Sequence, residues 1–141
     1  MANQALCGHL SRPLDPAHPA GTAIDIHYAV LPALARNRLP DPVFFIAGGP
    51  GQSAMELADV MGARMARLNN RRDLVLVDQR GTGQSAPLRC EPVAPTAALA
   101  TAADPAQQLT RLQRCREQLQ RLPYGDLRFF TTAIASTDLD A

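Results

Sequence analysis

Hydrophobic and polar positions alternate from Ile24 to Val30: Ile24, Ile26, Tyr28 and Val30 fall on one face, and Asp25, His27 and Ala29 on the other. A period of two is that of a half-buried strand, so an outer, antiparallel strand is expected over about 24–31. Pro32 and the stretch from Arg36 to Pro42, with its prolines and polar residues, break that pattern into a loop. The texture then changes. Val43 to Ala47 and Leu74 to Val77 are apolar at consecutive positions, which predicts strands over about 43–47 and 74–78 buried on both faces, as in the middle of a parallel sheet covered by helices.

Between these two segments Ala54, Ala58, Met61, Met65 and Leu68 recur at spacings of four and three, the period of a helix over about 54–68. Ser53 and Glu56 stand at its start as a capping box, in which the serine oxygen takes an orphan N–H and the glutamate reaches back. Strand, glycine-rich turn, helix and strand make a βαβ unit, whose right-handed crossover sets the turn at the carboxyl edge of the sheet, where such folds bind ligands. Beyond Ser85 proline, alanine and threonine run to Ala103 without apolar periodicity, predicting a surface excursion. Asp104 and Pro105 then open a helix over about 104–122 with the stripe Leu109, Leu112, Cys115, Leu119 and Leu122, closed by Pro123, Tyr124 and Gly125. Thr131 begins a further helix, over about 132–141, with Asp138 and Asp140 placed near its start, where acidic groups complement the helix dipole. The fold class is therefore α/β, a mostly parallel sheet flanked by helices.

Composition removes whole classes of function. With 46% hydrophobic and 19% charged residues and no apolar run of bilayer length, a membrane protein is not expected. All fourteen basic residues are arginine, scattered along a chain of net charge +1, so the basic stripe of a nucleic-acid binder is missing. Without lysine there is neither a phosphate-binding P-loop nor a Schiff base. Cys7, Cys90 and Cys115 show none of the close spacing of zinc sites, and neither a metal nor a cofactor is expected. Cys90 and Cys115 flank one loop and helix; a disulfide between them and two buried thiols remain open alternatives. Met1 to His9 carries no basic region followed by an apolar stretch, so no export signal is read: a cytoplasmic location is expected, or a periplasmic or secreted one if the true start lies upstream.

Candidate chemistry sits in two glycine-rich segments, each following an apolar strand: Gly48-Gly49-Pro50-Gly51-Gln52-Ser53 and Asp78-Gln79-Arg80-Gly81-Thr82-Gly83-Gln84-Ser85. Glycines let main-chain N–H groups come close to a developing negative charge. The first segment is favoured, since a turn leading into a helix N-terminus also gathers free N–H groups and the positive end of the dipole.

This series of motifs, with Thr131-Thr132 and Asp138-Leu139-Asp140-Ala141 at the end, resembles the amino-terminal half of α/β-hydrolases of the proline iminopeptidase and tripeptidyl aminopeptidase branch. The resemblance covers nearly the whole chain. It implies that Gly49, with Gly48, supplies the first oxyanion-hole donor, that the Gly49–Pro50 peptide is cis, and that Pro50, Gly51, Asp78, Arg80, Gly81 and Gly83 shape and brace the two turns without taking part in chemistry. Ala47 departs from the histidine that precedes the two glycines in many relatives, which tilts the resemblance toward the tripeptidyl aminopeptidase-like group. The implied activity is that of a serine peptidase releasing N-terminal residues or short peptides from substrates with a free N-terminus.

The implied nucleophile is not in the sequence. No G-x-S-x-G occurs: Gly51-Gln52-Ser53-Ala54 and Gly83-Gln84-Ser85-Ala86 supply its first half, but Met55 and Pro87 occupy the closing positions. Ser53 is fully explained as a helix cap. His9 and His18, in turn-like sequence, and His27, on the polar face of the first strand, precede both serines, the wrong order for a Ser–Asp–His triad in this fold, and are expected to be solvent-exposed. The expectation is a front part of a hydrolase, inactive alone, with the triad falling after residue 141 and an exposed sheet edge through which the isolated chain self-associates. The alternatives are a non-catalytic binding module using the glycine-rich turn and an esterase or amidase of the same fold; a nucleotide-binding unit is disfavoured because Gly48-Gly49-Pro50-Gly51 is neither GxGxxG nor followed by lysine.

Overall fold

A computed structural model of the chain describes residues 4–90 and 104–140. The surface excursion expected up to Ala103 falls for the most part outside the described residues, as does Ala141. The elements are β1 (Leu6–Pro13), β2 (Ala23–Leu31), β3 (Val43–Ile46), a 3-10 turn (Met55–Leu57), α1 (Ala58–Arg64), α2 (Ala66–Asn69), β4 (Leu74–Val77), α3 (Pro105–Gln120), a second 3-10 turn (Leu127–Phe129) and α4 (Thr132–Asp138).

The four strands form one mixed sheet in the order β1-β2-β4-β3: β1 with β2 and β2 with β4 are antiparallel, and β3 with β4 is parallel. The chain is thus mixed α/β, but among the described residues the sheet is not mostly parallel as expected, since of its three strand pairs only β3–β4 is parallel. Register explains its two layers. Ala29, Leu31, Leu74 and Leu76 pair on one face, where Leu74, Leu76 and Ala29 are buried and Gly62 of α1 lies close to the Leu31 side chain. On the other face Leu14, Ile24, Ile26, Val77 and Ala86 form a core cluster against Tyr124, Phe129, Phe130 and Leu139. Alternation along β2 therefore does what its period predicts, sending Ile24 and Ile26 inward.

Further expectations are corrected. β2 is not the outer strand, because β1 lies beyond it; His9 accordingly stands in a strand and not in a turn. β3 is not buried on both faces: as the edge strand it leaves Phe44 52% and Ile46 38% exposed, on the face they share with Val75 and Val77. The helix expected over 54–68 is three short pieces, broken at Leu57 (φ −94°, ψ 5°) and at Met65 (φ −99°, ψ 16°), neither of which is α-helical. Beyond the second break Asn69 is buried and its Nδ2 donates to the carbonyls of Leu31 (2.9 Å), Pro32 (3.3 Å) and Arg72 (3.1 Å), which hold the last turn in its own direction.

The helix over 104–122 forms as α3, opened by Asp104 accepting from the Ala106 N–H at 3.0 Å, but its stripe is not a core stripe. No residue of α3 is buried, and Leu109 and Leu112 are 58% and 66% exposed. What ties it down is a disulfide between Cys90 and Cys115, with Cα atoms 5.4 Å apart. Finally, the last helix ends at Asp138, which therefore lies at the carboxyl end of α4 and not near its start. A carboxylate there opposes the dipole, and its placement has another cause, given below. Among the described residues no helix is long and apolar enough to cross a membrane.

Candidate functional site

Because β3 and β4 run parallel, their carboxyl ends lie side by side, and each opens into one of the two glycine-rich segments. The turn after β3 is exposed from Gly48 to Gln52. Gly49 and Gly51 have φ of +134° and +89°, and the Gly49–Pro50 peptide is cis, as expected. A side chain added at Gly48 or Gly51 would meet nothing within 4 Å, so the turn faces open space. Among the described residues the N–H groups of Gly48, Gly49 and Gly51 find no acceptor in the chain. Free main-chain donors around a glycine turn are the raw material of an anion or oxyanion site.

Asp78 joins this turn to the second one. It is buried, and its carboxylate Oδ1 accepts from Ser53 Oγ (2.8 Å) and the Met55 N–H (3.1 Å), while Oδ2 accepts from the Gln84 N–H (3.2 Å). Gly83, at φ +51°, lies so close that a Cβ would collide with that carboxylate. The second turn is tightened further by Gly81 N–H to Ser85 O (2.7 Å), Ser85 N–H to Thr82 O (2.8 Å) and Leu88 N–H to Gly81 O (3.1 Å).

Both candidate serines are occupied structurally. Ser53 Oγ, besides donating to Asp78, accepts from the Glu56 N–H at 3.1 Å, which is the first half of the expected capping box; no bond from the Glu56 side chain back to Ser53 is present among the described residues. Ser85 is fully buried and its Oγ accepts from the His27 N–H at 2.8 Å. His18 Nδ1 is engaged by Asp15 at 2.6 Å, and that contact, followed by the Ala17 N–H, holds the Asp15 carboxyl below its ordinary value. His27 is half-buried, not solvent-exposed, and faces His9 across the β1–β2 pair.

Arg80 turns away from the glycine turns. All five of its N–H groups are used: Nε and Nη2 clamp the Asp138 carboxylate at 2.8 and 2.7 Å, Nη1 donates to Leu14 O (2.9 Å) and Phe129 O (3.0 Å), and Nη2 also reaches Pro13 O (3.3 Å). Both side chains are almost wholly buried. This pairing is why Asp138 tolerates a helix C-terminus. Arg12 adds a bond to Thr137 O at 3.0 Å and sets its Nε 3.5 Å from Asp138. Sequence reasoning missed Asp138 and Arg12; the only local signal was that Asp138 is an acidic residue on the side of α4 that also carries the buried Ala135.

An open depression lined by Arg116, Gln120, Leu122, Asp126 and Arg128, among others, shares no residue with the glycine turns. There the Arg128 guanidinium, bonded to Asp126 at 2.7 and 2.9 Å, pulls the Asp126 carboxyl down and is itself pushed up. Among the described residues no three metal-binding side chains gather. Comparison of the chain with models of known protein families finds no match, and comparison with curated proteins finds none either.

Proposed function

We propose that the chain is the amino-terminal part of an α/β-hydrolase, of the serine aminopeptidase kind related to proline iminopeptidase and the tripeptidyl aminopeptidases, in which the turn from Gly48 to Gly51 supplies half of an oxyanion hole. The observation that carries this reading is the placement of that turn. It follows the third strand and leads into the first helix, the position from which this fold draws one oxyanion N–H; the turn is exposed and its donors have no acceptor among the described residues.

Among the described residues the outer edge of β3 is unpaired, which supports the same reading. A further parallel strand would add beside β3, cover the apolar Phe44 and Ile46 side, and bring its own carboxyl-end turn next to Gly49. A serine on that turn would attack the scissile carbonyl, a histidine from later sequence would move the proton, and the Gly49 N–H together with that of the residue after the serine would hold the tetrahedral oxyanion. The substrates are peptides with a free N-terminus. The 141-residue chain alone, with Ser53 and Ser85 locked in structural bonds, hydrolyses nothing.

The test extends translation of the gene past the Ala141 codon and asks for G-x-S-x-G. The product is then treated with a fluorophosphonate probe and with aminoacyl and tripeptidyl p-nitroanilides. Labelling of the new serine with turnover of these substrates supports the reading; a longer product with neither the motif nor labelling overturns it.

A further inference from the structure

We propose that His9 and His27 form a two-histidine site for a divalent transition-metal ion, which clips β1 to β2. The site shares no ligating side chain with the glycine turns and does not rest on the hydrolase reading. It begins with register: His9 lies directly opposite His27 in the antiparallel β1–β2 pair. A residue in such a strand turns its N–H and C=O toward the same neighbour. His27 sends its N–H to Ser85 Oγ (2.8 Å) and accepts from the Asp78 N–H (3.0 Å), both on the side away from β1. Toward β1, therefore, His27 and His9 are a non-hydrogen-bonded pair, the kind whose side chains approach most closely.

The rings do approach, with centroids 5.6 Å apart and planes inclined by 36°. Two imidazoles sharing one tetrahedral ion through bonds of about 2.0–2.1 Å hold their centres roughly 5 Å apart. Closing the difference needs only a small rotation of His9, which is exposed and has room to turn. His27 is the fixed member, half-buried and with its backbone held by Ser85 and Asp78. Among the described residues neither ring makes a hydrogen bond or ion pair, whereas the ring of His18 is engaged by Asp15. The lone pairs of His9 and His27 are thus available to a ligand.

Imidazole nitrogen selects zinc, nickel or copper over magnesium or calcium. With two protein ligands and, among the described residues, no third gathered beside them, the remaining positions of the ion go to water, so the bound metal exchanges readily and acts as a clip on the sheet edge. No residue of β1 is buried, and a clip at its centre adds to the ladder there.

The probe is zinc, titrated into the full chain at pH 7.5 and followed by the side-chain NMR signals of the three histidines. His9 and His27 are expected to shift together and saturate at one equivalent, with His18 unmoved and the melting temperature raised. His9→Gln, at an exposed position, is expected to weaken binding at least tenfold without changing the melting temperature of the metal-free protein, and His27→Gln to do the same. Cys7→Ser, which removes the free thiol two residues away on the same face of β1, is expected to bind as the parent does. Separate saturation of the two histidines, full affinity in His9→Gln, loss of binding in Cys7→Ser, or zinc-dependent dimerisation would each overturn the proposal.

Discussion

Replacing Arg80 with methionine removes the bidentate partner of a buried carboxylate. Arg80 and Asp138 expose 1% and 3% of their side chains, and the pair is bidentate, with bonds of 2.7 and 2.8 Å. Removing one partner of a buried, hydrogen-bonded pair costs about 3–5 kcal/mol, because the other charge is left without compensation. The carbonyls of Pro13, Leu14 and Phe129 lose their donor as well, each worth about 1 kcal/mol before water enters. Arg12, 3.5 Å from Asp138 Oδ1, returns part of this. The expected loss is about 4 kcal/mol, or roughly 12–16 °C in Tm for a domain of this size.

Urea unfolding of the parent, Arg80→Met, Asp138→Leu and the double variant measures the coupling directly. The double variant is expected to be more stable than Arg80→Met, since no charge is stranded in it. Hydrogen exchange locates the damage, with amides of α4 and of the β1 end losing protection before those of β4. A loss below about 1 kcal/mol in Arg80→Met, or additivity of the two single changes, would refute the account of Arg80 as the buried tie between β1, the second 3-10 turn and α4.

Other consequences are as definite. Gly83→Ala should cost at least about 2 kcal/mol, because its Cβ would strike the Asp78 carboxylate at a φ of +51°, whereas Gly48→Ala, with open space around it, should cost under about 0.5 kcal/mol; equal melting of the two variants would count against Asp78 as the clamp. Reducing the Cys90–Cys115 disulfide releases a 25-residue closure worth up to about 3.5 kcal/mol, and since α3 buries nothing, amides 105–120 should lose exchange protection while the sheet keeps its own. NMR titration should place the Asp15 and Asp126 carboxyl midpoints below the ordinary aspartate value, restored by His18→Ala and Arg128→Ala respectively. Both values are depressed on folding, so the stability they contribute is present above the unfolded value and is lost as pH falls through the folded one; midpoints that ignore those substitutions would show the cause to lie elsewhere.

What the sequence made legible was local chemistry. The alternation of β2, the apolar run of β4, Asp104 before Pro105, and the Ser53–Glu56 bond all depend on neighbours a few residues away, and the pattern carries that information. β1 was not legible. Its residues include glycine, two positions that bear Cys7 and His9 outward, and a closing proline, so nothing in their propensity marks a strand; β2 supplies the ladder, and context overrides composition. The burial of β3 was misjudged for the complementary reason. An apolar run says that a strand can be covered on both faces, but which faces are covered depends on the strand order, and β3 falls at the edge. Asp138 could not be read from its surroundings either, since its partner Arg80 is 58 residues away.

The same distinction bears on the candidate site. Its glycines were visible because a main chain that must take φ of +134° or +89° in an exposed turn shows itself in composition. The device that positions them was visible only as a residue type. Asp78 uses one carboxylate oxygen on the segment after β3 and the other on the segment after β4, so the two turns form a single unit hung from one buried side chain. Ser53, tempting as a nucleophile from its place between strand and helix, is consumed in that linkage. The consequence for function is that the donors from Gly48 to Gly51 are set by the register of β4 and by Asp78 rather than by the short, broken helix that follows them. A site organised in this way keeps its geometry when the helix frays, which suits the proposed oxyanion role, in which N–H groups are held still while charge develops in front of them.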